Sequence, residues 1–207
     1  MDPAFRRQDE SSDARFYQQP RFVTHIDDGA IAAVTQVYRE TLPDGGAILD
    51  LMSSWVSHFP PEAKYRKAVG LGMNQAELAA NPRLDSFVLH DLNRDPTLPF
   101  ETSEFDAATI CVSIDYLTQP QAVLRELARV VRPGGPLVIT FSDRCFPSKA
   151  VLGWLSANDT GRKRLVQDWL AESGRWDQVE VFDRGQRRPL GDPLYAVVAL
   201  SRGPNSG

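Results

Sequence analysis

Asp115 and Tyr116 follow an apolar, β-branched run at 105–114, and a carboxylate or phenol at such a strand end can orient a bound molecule or take its proton. Asp115 could equally cap the next helix, a role open to Thr118 as well. Ser142, Asp143 and Arg144 close a second apolar run at 136–142. There the guanidinium could pair with an anionic ligand group, and Asp143 could instead hold a surface turn. The segment RFYQQPRFVTHIDD (15–28) is unusually aromatic and basic, with Phe16, Tyr17, Arg21 and His25 available for ligand contact and Phe16 and Phe22 equally able to plug an apolar groove. His58 stands near the end of a strand loop, whereas His90 falls inside an apolar run and reads as structural. No Cys/His spacing of the metal-site kind occurs, so no metal is expected. Cys111 and Cys145 are too few for a disulfide scaffold, and nothing beside Cys145 supplies a base that would make it a nucleophile. Trp154, Trp169 and Trp176 read as packing residues.

The elements that must position these groups alternate. The chain has 207 residues, the size of one domain. Lysine and arginine total 23 against 27 acids, a net charge of −4, which disfavours a protein that coats nucleic acid. Arg184, Arg187 and Arg188 could still form a small basic patch. There is no apolar run of about 18 residues. The first fourteen residues lack a signal-peptide core. The expectation is a soluble cytoplasmic protein with reduced thiols, a flexible leader over 1–15, a single domain over 16–202 and a loose tail over 203–207. After the caps Asp27 and Asp28, a helix carries Ile31, Val34, Val37 and Tyr38 on one face. Strands are expected at 47–52, 67–71, 86–92, 105–114 and 136–142. Helices are expected after Asn74, at about 120–131, and over 148–173 with a break near 157–159 and Gly174 at the end. Two final strands, 178–182 and 194–200, have no helix between them. The pattern predicts a Rossmann-like α/β fold: a seven-stranded, mostly parallel sheet with helices on both faces and one reversed edge strand in a C-terminal hairpin. In such a sheet ligands bind beyond the carboxyl ends of the strands, which nominates the loops 52–58, 72–75, 91–94, 113–117 and 142–146.

Those loops carry a motif series. Leu98-Pro99-Phe100, then Phe105-Asp106, then Glu126-Leu127-Ala128-Arg129-Val130-Val131-Arg132-Pro133-Gly134-Gly135 resemble the class I S-adenosylmethionine-dependent methyltransferases, in particular the small-molecule type 11 group. The resemblance covers about residues 30–142 by motif. It implies S-adenosyl-L-methionine as cofactor, S-adenosyl-L-homocysteine as product and a small-molecule acceptor. Family members carry D-x-G-x-G-x-G after the first strand, glycines that allow close backbone approach to the cofactor. Here Asp50 is in place, but Met52, Ser54 and Val56 stand at the glycine positions. Ser53 and Ser54 remain small and could donate to a carboxylate. The family's ribose-binding acid after the second strand aligns with Gly72, beside Met73, and Asn74 could reach a ribose hydroxyl instead. Asp91 aligns with the acid that contacts the adenine amino group, and Leu92 with its neighbouring backbone contact.

The resemblance therefore implies methyl transfer with Asp50, Met52, Ser53, Gly72, Met73, Asn74, Asp91 and Leu92 around the cofactor, Tyr17 or Trp55 stacking or closing over it, and Asp115, Tyr116 and Arg144 facing the acceptor. In this fold the 15–28 segment can lie across the mouth as a lid. The rival is a methyltransferase-like protein that has lost catalysis and serves as a binding or regulatory subunit for a protein partner. It predicts a mouth blocked by Met52, Trp55 or the arm around Tyr17, whereas the enzyme predicts an open cleft between the ends of the first and fourth strands. A nicotinamide oxidoreductase would need a glycine-rich turn after the first strand, and none exists. A nucleic-acid methyltransferase is disfavoured by the acidic balance and by the absence of an Asn/Asp-Pro-Pro-aromatic motif.

Overall fold

The Asp27 carboxylate accepts the Ala30 amide and starts helix α2 (Asp28–Thr41), which buries Val34, Val37 and Tyr38 along one stripe. In the computed structural model, which describes residues 2–185 and 191–203, α2 covers one face of a seven-stranded sheet. The strands are β1 (Ala47–Leu51), β2 (Lys67–Gly72), β3 (Ser86–Leu89), β4 (Ala107–Cys111), β5 (Pro136–Phe141), β6 (Trp176–Asp183) and β7 (Tyr195–Ser201). Helices α4 (Pro120–Val130), α5 (Leu152–Leu155) and α6 (Asp159–Ser173) pack on the other face. Val123, Leu124, Leu127 and Val130 of α4 are sealed against it. Two short helices, α1 (Asp13–Phe16) and α3 (Gln75–Ala80), complete the set.

Strand order is β3-β2-β1-β4-β5-β7-β6, with β1 to β5 parallel throughout and β7 antiparallel to both β5 and β6. The order reverses between β1 and β4, so the crevice above those two strands is the natural ligand position. Gly174 ends α6 at φ 71°, the left-handed cap expected of it.

Two details differ from expectation. The reversed strand is interior: β6 takes the edge, and β7 returns to fill the gap beside β5. Between β1 and β2, where no helix is expected, there is none. The connection is proline-containing coil anchored by Phe59, which is buried between Tyr38 and Tyr65 at ring separations of 5.7 and 5.1 Å. The second difference is that the segment expected to be a loose leader is docked. Phe5 packs on Trp169, the Asp9 amide donates to the Ser148 carbonyl, and the Leu152 amide to the Arg6 carbonyl. At the other end, the Gly203 amide donates to Ser201 Oγ. Residues 204–207, like Arg187 and Arg188 of the expected basic patch, lie outside the described residues, and Arg184 is paired with Glu40. No helix among the described residues is long and apolar enough to cross a membrane.

Candidate functional site

At the carboxyl ends of β1 to β5 the described residues enclose a cavity of about 580 Å³. That is within the range of roughly 300–1,000 Å³ typical of small-molecule sites. Its floor is made by the strand ends. Its roof is the arm 13–26, which crosses from the β5 side to β2 and returns. Side chains beyond the strand ends hold the roof: Asn74 Nδ2 donates to the Tyr17 carbonyl (2.8 Å) and the Gln18 carbonyl (3.2 Å), Glu77 Oε1 accepts the Arg21 amide (2.6 Å), and Trp55 Nε1 donates to the Val23 carbonyl (3.1 Å). Below α1, Arg7, Asn93 and the fully buried Lys149 converge on the carboxylate of Asp13.

The backbone around the cavity is strained in one place after another. Met52, His58 and Val112 have φ of 56°, 52° and 43°, and all three line the cavity. A β-branched valine in the left-handed region is a clear outlier, and such strain concentrates where geometry serves a ligand. Met52 is the first of the positions where the family has glycine. It adopts a left-handed backbone conformation of the kind glycine takes readily. Asp50, beneath it, is buried and accepts the hydroxyls of Ser53 (2.6 Å), Ser57 (2.7 Å) and Thr109 (2.9 Å). Burial pushes its carboxyl above the ordinary range, against the three hydroxyl bonds. Asp50 therefore ties the loop to the sheet.

Of the residues expected to hold the cofactor, Asp50, Met52, Ser53, Gly72, Met73 and Asn74 line the cavity. So do Tyr17, Asp91 and Leu92. Asn74, however, has its side chain committed: its Oδ1 caps α3 by accepting the Glu77 amide, and its Nδ2 holds the arm. Asp91 Oδ1 accepts the amides of Asn93 (3.0 Å) and Arg94 (3.3 Å), and its Oδ2 receives no hydrogen bond from any described residue. Trp55 is not among the residues that line the cavity: its ring packs against Phe22 and its indole N–H donates to the arm, where that donor is satisfied.

Among the acceptor-side candidates, Tyr116 and Arg144 line the cavity and Asp115 does not. The Tyr116 hydroxyl accepts the Phe146 amide at 2.9 Å. Burial, then the Asp115 charge, push its phenol up, so it stays protonated. Arg144 is exposed, and its one ion pair among the described residues is a long 3.7 Å approach to Asp192. Asp115 sits in the 3-10 turn Ile114–Tyr116, buried in the core behind the wall, with Oδ2 unpartnered among the described residues. Both cysteines are free, burial raises both thiols, and Cys111 reaches about 11, so neither is a nucleophile at neutral pH. No cluster of metal-binding side chains occurs among the described residues.

Sequence reasoning missed Asp13, Glu77 and Asn93. Asp13 lay in the expected leader, and Glu77 has the spacing of a capping-box partner to Asn74, which masks any further role. His25 and His58, both lining the cavity, carry imidazoles whose pKa is lowered by burial, and for His25 by Arg21 as well. Both are neutral at pH 7.

Gly72 explains the missing acid. A β-carbon there would overlap the Ser53 carbonyl oxygen and press on Leu78. Restoring the family's carboxylate with Gly72→Asp is expected to destabilise the fold by about 1–3 kcal/mol, the usual range for overpacking, and to leave cofactor affinity no better. Denaturation and calorimetric titration of the variant check this, and tighter binding at unchanged stability would contradict it.

Residues 62–139 match the family described as methyltransferase domain. A demethylmenaquinone methyltransferase from Mycolicibacterium paratuberculosis is 52% identical over 42 residues, 20% of this chain and 18% of the relative, so the match spans less than a fifth of that protein. An S-adenosylmethionine-dependent methyltransferase structure from Mesorhizobium loti superposes with a TM-score of 0.56 at 19% identity, over 81% of this chain and 97% of its own. The [4+2]-cyclase SpnF superposes with a TM-score of 0.64 at 16% identity, over 89% and 90%. Likeness at such identity speaks for the fold. By sheet order the chain has the fold of the class I methyltransferases, and its residues 62–139 match the methyltransferase domain.

Proposed function

We propose that the protein transfers a methyl group from S-adenosylmethionine to a small-molecule acceptor. The observation that carries this reading is a roofed cavity of about 580 Å³ over the strand-order reversal, with a carboxylate oxygen of Asp91 left free in its wall. The residues present fit the cofactor. Asp91 Oδ2 offers an acceptor to an exocyclic amine, Leu92 and Met73 offer apolar surface, and the Met52-Ser53-Ser54 turn lies at the floor. Bound S-adenosylmethionine supplies a methyl group already activated on a sulfonium. The chain's task is then alignment and exclusion of water, worth several kcal/mol when reacting atoms are held at about 3–3.5 Å. Tyr17 and the rest of the arm exclude water from above. Tyr116 and Arg144 orient the acceptor, and the neutral imidazole of His25, without a hydrogen bond from any described residue, is available to take its proton.

The regulatory-subunit rival required a blocked mouth. Met52 lines the cavity without filling it, Trp55 is not among its lining residues, and Tyr17 is part of the roof above the open space. The acidic balance supports a small molecule over a nucleic acid as acceptor. Two thiol cysteines fit a reducing compartment such as the cytoplasm.

Asp91→Asn tests the reading. The variant keeps the oxygen that caps Asn93 and Arg94 but turns the free oxygen into a donor. S-adenosylhomocysteine is expected to bind about ten- to hundredfold more weakly, the weight of a charged hydrogen bond, with the melting temperature unchanged. Unchanged affinity would remove Asp91 from the site.

A further inference from the structure

A second carboxylate opens on the same cavity. Glu77 stands in the first turn of α3, which Asn74 starts directly at the end of β2. The residue is 8% exposed and lines the cavity. Only Oε1 is used, by the Arg21 amide; Oε2 receives no hydrogen bond from any described residue and is not sealed away from solvent. The Arg21 guanidinium turns elsewhere, stacking over Phe16 at 4.5 Å and donating to the Phe16 carbonyl, so it makes no ion pair with Glu77. Leu78, the neighbour of Glu77, packs over Gly72, which puts α3 against the strand end where no acid can stand. Burial raises the Glu77 carboxyl, the mark of a charge that lacks full solvation.

A buried carboxylate with one empty oxygen is completed by a ligand that donates hydrogen bonds. A metal ion is a poor match, since no cluster of ligating side chains surrounds it among the described residues. A vicinal diol supplies neutral donors and no charge to be neutralised. We infer that Glu77 accepts the ribose hydroxyls of the nucleoside cofactor, in place of an acid at position 72. The inference rests on the methyl-transfer reading for the identity of the ligand. It also ties cofactor to roof, because the same carboxylate holds the Arg21 amide.

The test is a binding cycle, read by calorimetry. Wild type and Glu77→Gln are titrated with S-adenosylhomocysteine and with its 2′-deoxy and 3′-deoxy analogues. Glutamine keeps an oxygen for the Arg21 amide, and a thermal melt of each unliganded protein verifies that the roof and fold are intact. Wild type is expected to lose about tenfold in affinity for at least one deoxy analogue, Glu77→Gln to lose about tenfold for the parent compound, and the variant to show little further loss with that analogue. A full deoxy penalty retained in the variant, or parent affinity equal to wild type, overturns the role of Glu77 while leaving methyl transfer standing. Absence of binding to wild type overturns both.

Discussion

Asp13→Ala is expected to cost the fold about 3–5 kcal/mol, because it strips a shared partner from two buried cations. Arg7 donates to both oxygens of Asp13 at 2.8 Å, and Lys149 Nζ approaches Oδ1 at 3.3 Å. Without that carboxylate Lys149, fully buried, keeps the Ser11 carbonyl at 2.7 Å and the Asp9 carboxylate at 3.1 Å, and Arg7 keeps no acid in ion-pair contact. Lys149→Met is expected to be milder, since the thioether fills the volume while Asp13 retains Arg7 and the Asn93 amide. Denaturant unfolding of the two variants distinguishes charge from packing. Equal losses would mean that the arm is held by shape alone. The same cluster has a pH signature. Burial alone would raise the Asp13 carboxyl, but the Arg7 and Asn93 hydrogen bonds overcome it and hold it below its ordinary value. Its contribution is therefore present above the unfolded-state pKa and lost as pH falls through the folded one.

Asp115 works in the opposite sense and over a wider window. Burial pushes its carboxyl from 3.8 up to about 8, against weaker help from its own amide and from Arg162. Below pH 4 both folded and unfolded chains hold the proton. Between about 4 and 8 the unfolded chain has released it and the folded chain has not, so stability falls by up to about 1.4 kcal/mol per pH unit. Asp115→Asn, nearly isosteric with the protonated acid, is expected to abolish this slope and to be the more stable protein at pH 8 by several kcal/mol. Unfolding free energies at pH 5, 6.5 and 8 measure it. Parallel profiles for wild type and variant would mean that Asp115 is ionised and partnered in the folded state.

The alternation of apolar runs and breakers was enough to read the sheet, because parallel strands buried on both faces are short and apolar without interruption. Asp91, Tyr116 and Arg144 could be assigned to the cavity mouth because each ends a strand. What local pattern cannot show is a contact between distant segments. Asp13 and Lys149 meet only because the arm folds back across the strand ends, and the run around Asp13 is polar enough to read as a leader. Asp115 ends a strand as Tyr116 does, yet the 3-10 turn at Ile114–Tyr116 sends one side chain into the core and the next into the cavity. The glycine-free loop left an open cleft and a blocked mouth both in play, because residue types alone do not give backbone angles; Met52 takes the left-handed turn and leaves the space open.

The most direct test of the central claim is calorimetric titration of the purified protein with S-adenosylmethionine and, separately, with S-adenosylhomocysteine. A methyltransferase cavity roofed by the arm predicts micromolar binding of both, one molecule per chain. No binding of either up to millimolar concentration would contradict it.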